Sequence, residues 1–365
     1  MNATIKPIQG LRAILTMHVF LFHFLGIIGM RDIMDGYFTD AGRLGVKGFF
    51  VISGFLYGYL ANQSTSVKYL VHNKVCSFLR KYYHWHLLFF LVMLPFIVIE
   101  VSNGKLPIWK SAIYAISNIL LIHGQLPING CALAFNDVSW YLSTALFLLL
   151  PTILISKKTR NFNEKKCYIL LTLLVAFEML FCVIIHFFRA RGWFVEWIMY
   201  IPFPIRIVDI AAGVICGRIG LLRKNRRNAL IDTALFVISS LTLILIQLSS
   251  KKIPIYYRYS CCYTLPMIAL VYSILNLKTF GAKLLSVKPI KWIGDISFYI
   301  FICHLAVGKY LFKFNDRCEI LNFNSSFDCI VFLTVGGFLT ILLSMGMSYI
   351  DMLRNKKNEI FHNHS

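Results

Sequence analysis

Apolar residues in this chain come in runs of about twenty, the length a helix needs to cross a bilayer, with short polar segments between them. Runs near 8–30, 44–61, 83–101, 139–156, 168–188, 204–222, 229–249, 260–277, 293–312 and 329–350 predict ten helices. An eleventh apolar piece, 108–123, is shorter and leads into Gly124, Pro127 and Gly130. The pattern predicts an all-α integral membrane protein of about ten transmembrane helices, with a re-entrant or interfacial segment near 108–130.

Composition agrees. Of the 365 residues, 58% are hydrophobic and 15% charged, and the mean hydropathy is +0.68; soluble domains carry about 25% charged residues. The net charge of +21 sits in short inter-helix segments, so it reads as an orientation signal and not as a nucleic-acid surface. It also decides the 108–123 question. If that piece does not span and the N-terminus is inside, the inside segments hold 23 basic residues and the outside segments 12. If it spans, four later basic segments face outward, against the positive-inside rule. The expectation is ten spans with both termini cytoplasmic, residues 1–350 as one membrane domain and 351–365 as a basic tail. The N-terminus lacks a cleavable-signal pattern, so the first helix is expected to remain as an anchor.

The first run, 10–29, carries Arg12, His18 and His23 among apolar residues. Arg12 and His23 are eleven positions apart, about 16 Å along a helix and about 20° around it. They share one stripe, and His18 lies on another face. Intramembrane ionisable groups are costly and usually face a protein-lined cavity. Taken alone, the pair fits either a site or a snorkelling arginine with a packing histidine. The ten cysteines show no metal or redox spacing, and no HExxH, P-loop, GxGxxG or GxSxG pattern occurs, so no metal is expected.

Further strings narrow the choice. Gly45–Leu56 reads GVKGFFVISGFL, 78–86 reads FLRKYYHWH, 136–151 reads NDVSWYLSTALFLLLP, and 294–304 reads GDISFYIFICH. With the Arg12–His23 spacing, these resemble acyltransferase family 3, a family of integral-membrane proteins. Gly45, Val46, Phe49, Phe50, Ser53, Gly54 and Phe55 match its second-helix pattern, with Lys47 where an Asp is common. Arg80 and Lys81 match part of its basic segment, though the third base is His84 and a proline is missing. Trp140, Leu142 and Ser143 match a WYLS element; Ala145 stands where some members have Glu, so no catalytic carboxylate is placed there. Gly294, Ser297, Tyr299 and His304 match a late GxxSYxxYLxH element. Arg206 and Asp209, at i and i+3, read as a structural ion pair.

The resemblance implies a bacterial inner-membrane O-acyltransferase. It would move an acyl group, most often acetyl, from acetyl-CoA to a sugar hydroxyl of a surface polysaccharide such as O-antigen. It implies His23 and Arg12 as catalytic, Arg12, Arg80 and Lys81 at the coenzyme A phosphates, and Trp140, Ser143 and His304 near substrate. Acyl-CoA, a lipid-linked or polymeric glycan and membrane lipids are the expected partners; nucleic acid is not. A multi-pass transporter of a lipid-linked or small anionic substrate is the alternative, resting on buried Arg12, Lys47 and Arg206. The chain shows neither the internal repeats nor the matched broken helices common in transporters.

Overall fold

A computed structural model describes residues 6–30, 40–60 and 66–362, with side chains through 356. Among them the chain is helical throughout, with no strand. Helix α1 covers Lys6–Ile27 and α2 covers Ala41–Leu60. Then α3, Val67–Phe78, runs through a π-turn at Leu79–Tyr83 into α4, His84–Ser102. The predicted helix at 83–101 is thus the apolar part of a longer rod. Ser66 caps its start by accepting from the Tyr69 amide, and the polar residues between continue the helix beyond the lipid-facing stretch.

The segment expected not to span is α5, Ile108–Ile119, only 12 residues or about 18 Å. An irregular loop follows, and then α6, Trp140–Thr159. Helices α7, Glu164–Phe187, and α10, Ala229–Leu248, open on Asn163 and Asn228, whose side chains accept from backbone amides of the first turn. Between them lie α8, Trp193–Tyr200, and α9, Phe203–Leu222. The chain continues through α11, Ile255–Tyr259, α12, Thr264–Ser273, α13, Phe280–Leu285, and α14, Lys288–Asp295. It ends with α15, Ser297–Cys318, and α16, Ser326–His362.

Among the described residues, six helices are long and apolar enough to cross a membrane, or seven if α14 and α15, bent by 70°, form one span. This is an all-α, multi-pass membrane protein. Each of the ten predicted runs has its helix, but not all meet that test. The 260–277 run is a single apolar piece of Cys261–Ser273, because Ser260 breaks the backbone after α11. Helices α2 and α9 are 20 residues each yet carry charges, and they sit inside the bundle, with protein around them in place of lipid.

These two helices form the tightest pair. A Cβ on Gly54 or Gly58 would collide with the Ile210 or Val214 carbonyl, and one on Gly213 with the Val51 carbonyl. Small residues four apart let membrane helices approach to backbone contact. That is the physical use of the SGF string. Against the same bundle, Gly10 and Gly294 seat α1 on the backbones of α13 and α14, which fixes the face α1 turns inward. Helix α16 runs unbroken through residue 351. Asp351 accepts from Trp85 Nε1 at 2.9 Å and Tyr299 Oη at 2.8 Å, and lies 3.2 Å from His84 Nε2.

Candidate functional site

Two cavities, of about 370 and 390 Å³, flank the middle of α1. Arg12 lines the first and His23 the second. Tyr141 and Phe301 line both, so this aromatic pair, ring centroids 5.3 Å apart, forms the septum. The one-stripe reading of α1 therefore matches the geometry: the two residues address two chambers in series.

The first chamber is basic. Arg12 Nη1 donates to Gln9 Oε1 at 3.2 Å, and Lys74 and Lys81 from the α3 rod line the same space. Lys74 lies over the Tyr57 ring and Lys81 over Tyr82. Arg80 is not on this wall; it is exposed on the rod. Ser297, at the bend between α14 and α15, is buried in the wall and its Oγ has no hydrogen-bond partner.

The second chamber is aromatic and of mixed charge, with Arg43 on its wall beside two carboxylates. Trp140, Trp193, Trp197 and Tyr200 face it, with the carboxylates of Asp137 and Glu196. The loop after α5 delivers Asp137 and Trp140. Asn136 Nδ2 ties that loop to the Ile302 carbonyl at 2.9 Å, and Lys309 Nζ reaches Asp137 at 3.0 Å. Leu121 and Phe135 hold positive φ of 57° and 62° within it, uncommon for non-glycine residues and typical of segments over-determined by their surroundings.

His23 is oriented from behind. His304 Nδ1 donates to the Phe301 carbonyl at 2.8 Å, so its Nε2 carries the lone pair. That Nε2 lies 3.1 Å from His23 Nδ1, which is also 2.9 Å from the Val19 carbonyl. Both neighbours of His23 Nδ1 accept. The hydrogen-bond pattern thus assigns the proton to Nδ1 and leaves Nε2 as the basic nitrogen. His304 itself is buried and lines neither chamber. Ser143 is also buried away from both, accepting from the Gly124 amide at 3.3 Å. Trp140 alone of the three expected substrate-side residues reaches a chamber wall.

Beside the septum lies a closed charge cluster. Lys47 Nζ contacts Glu178 at 2.6 Å and Asp209 at 2.7 Å, and Arg206 Nη1 donates to Asp209 at 2.8 Å. All four side chains are at most 1% exposed. Ser260 and Thr264 donate to Glu178, and Arg206 Nε to the Tyr200 carbonyl. Two cations meet two anions, so the group is neutral. Neither Lys47 nor Arg206 lines either chamber.

A family model described as an acyltransferase domain matches residues 5–349, nearly the whole chain. The chain belongs to this acyltransferase family. The motifs at Arg12–His23, 45–56 and 294–304 thus fall in a true member, and this acyltransferase brings them together around α1. Among curated proteins it is similar to acyltransferase MdmB of Streptomyces mycarofaciens, 21% identical over 325 residues, covering 84% of this chain and 79% of that one. No solved structure matches it.

Proposed function

We propose that this acyltransferase moves an acyl group, in the first instance acetyl, from acyl-CoA in the basic chamber to a hydroxyl in the aromatic chamber. The observation that carries the proposal is the septum: Arg12 and His23, on one face of α1, open into two chambers that meet only at Tyr141 and Phe301. Arg12, Lys74 and Lys81 suit the phosphates of coenzyme A, which guanidinium and ammonium groups bind well. His23 lies about 16 Å further along the helix, where the pantetheine arm would present its thioester. The hydroxyl oxygen attacks the thioester carbonyl, its proton passes to His23 Nε2, a C–O bond forms and the C–S bond breaks. The proton then leaves with the thiolate as coenzyme A thiol. An acyl-histidine on the same nitrogen is the two-step variant.

Tryptophan faces and carboxylates are what a sugar ring and its hydroxyls require. The acceptor is therefore read as a sugar of a surface glycan such as O-antigen. In this reading the protein lies in the bacterial inner membrane with its basic chamber and both termini on the cytoplasmic side. Reporter fusions in 157–166 and 218–227 should then read cytoplasmic. Mass analysis of surface glycans from cells with and without the gene tests the function: one acetyl mass per repeat unit should depend on it, and unchanged glycans together with no acetyl-CoA turnover by purified protein would refute it. Transport of an anion is disfavoured because two of the three buried cations it relied on, Lys47 and Arg206, are neutralised in the closed cluster.

A further inference from the structure

A third cavity, of about 370 Å³, lies between α7, α9, α10 and α12 and shares no lining residue with the other two. Most of its wall is apolar: Leu171 from α7, Ile219 from α9, Leu235 from α10, and Ile268 and Ala269 from α12. From Leu265 to Tyr272 it follows α12 for eight residues, about 10 Å. Ile231 and Leu265 on its rim are 65% and 55% exposed, so the slot opens sideways out of the bundle, where lipid lies.

One end is different. Arg223, Arg226 and Arg227, from the turn after α9, close it. Arg227 forms a fixed floor, donating to Asp232 at 3.3 Å and to the Tyr272 carbonyl at 2.5 Å. Arg223 and Arg226 remain accessible, their side chains 41% and 79% exposed, each 3.9 Å from Glu164. Three guanidiniums meet two carboxylates there, and the balance is positive. Helix α9 is 20 residues, about 30 Å, so this end stands at a membrane surface.

A soluble anion has no use for the apolar slot, and a neutral lipid has none for the arginines. We propose that this cavity binds an anionic phospholipid, one acyl chain along the slot and the phosphate against Arg223 and Arg226. Planar guanidinium forks recognise phosphate oxygens in pairs, and basic pockets between membrane helices suit anionic headgroups. The site is independent of the acyl-transfer chambers and of the reaction assigned to them.

The test is native mass spectrometry of the purified full-length protein with added phosphatidylglycerol or phosphatidylcholine. Phosphatidylglycerol should be retained about tenfold more tightly, and Arg223→Gln with Arg226→Gln should remove that preference. These two side chains are outside the core, so the variant should fold. Lys165→Gln with Lys166→Gln, in the first turn of α7 but off the cavity wall, should change nothing. Ala269→Phe, which fills the slot, should weaken retention with the arginines intact. Equal binding of both lipids, an equal loss in the lysine variant, full binding by Ala269→Phe, or displacement by millimolar glycerol phosphate would each overturn the site.

Discussion

His304 Nε2 lies 3.1 Å from His23 Nδ1, and its own Nδ1 is committed to the Phe301 carbonyl. Two histidines, one from α1 and one from α15, are thus in hydrogen-bond contact, and of the two only His23 lines a chamber. His23→Ala should lower acetyl transfer about 10²- to 10⁴-fold at normal membrane level, the usual cost of losing a general base. His304→Leu should lower kcat about a hundredfold, the order of loss for a misplaced group, with KM for acetyl-CoA unchanged. His304→Gln, whose amide oxygen can accept from His23, should recover part of it. His18→Ala should stay near wild type, since His18 faces elsewhere and bonds the Ile14 carbonyl. Near-normal acetylation in well-expressed His23→Ala would remove His23 from the chemistry.

What could be read from sequence was what lies within one helix. The Arg12–His23 stripe, the Arg206–Asp209 pair and the ten apolar runs depend on local spacing, and each has its counterpart in the structure. Contacts between helices were not legible. Arg80 and Lys81 are adjacent, hence about 100° apart on a helix, and only Lys81 faces the chamber. Lys74, about two turns earlier, does so too, and looked like any loop cation. Glu178 stood alone in the apolar run of α7; a carboxylate at that depth demands a counter-charge, which was the available signal for Lys47. The chamber aromatics Trp193 and Trp197 come from a short helix that no long apolar run announced.

The basic chamber separates two neighbouring cations. Lys81→Gln and Lys74→Gln should each raise KM for acetyl-CoA, together by roughly tenfold or more, the scale of hydrogen bonds to charged groups. Arg80→Gln should change it little, because Arg80 is off the chamber wall. Arg12→Lys should retain part of the activity, since the charge stays and the fork is lost. Steady-state kinetics on purified protein checks this; equal effects at Arg80 and Lys81 would point to membrane-surface charge as the cause.

The Lys47 cluster makes a stability prediction. Lys47→Met leaves Glu178 buried with hydroxyls alone as donors, and breaking such a pair costs about 3–5 kcal/mol. Adding Glu178→Gln restores neutrality, because Asp209 keeps Arg206. The single variant should lose thermal stability and membrane yield, and the double variant should regain most of both. Thermal unfolding in detergent would measure it. An additive, uncompensated double variant would mean that the two residues do not act as a pair.

The septum gives the last test. Tyr141 and Phe301 are the residues common to both chambers, and Phe301 also carries the carbonyl that orients His304. Phe301→Ala keeps that carbonyl and removes the ring, so the chambers merge while the histidine pair stays in place. Water from the basic chamber would then reach the thioester beside His23. Hydrolysis of acetyl-CoA without acceptor should rise severalfold, and the ratio of transfer to hydrolysis should fall, because excluding water is what suppresses that side reaction. Tyr141→Phe keeps its ring and should leave the ratio near wild type. Thiol release measured with and without glycan acceptor separates the two outcomes. If Phe301→Ala left acceptor-free hydrolysis at the wild-type rate, the two aromatic rings would be packing between chambers and not the barrier that keeps water of the basic chamber from the thioester.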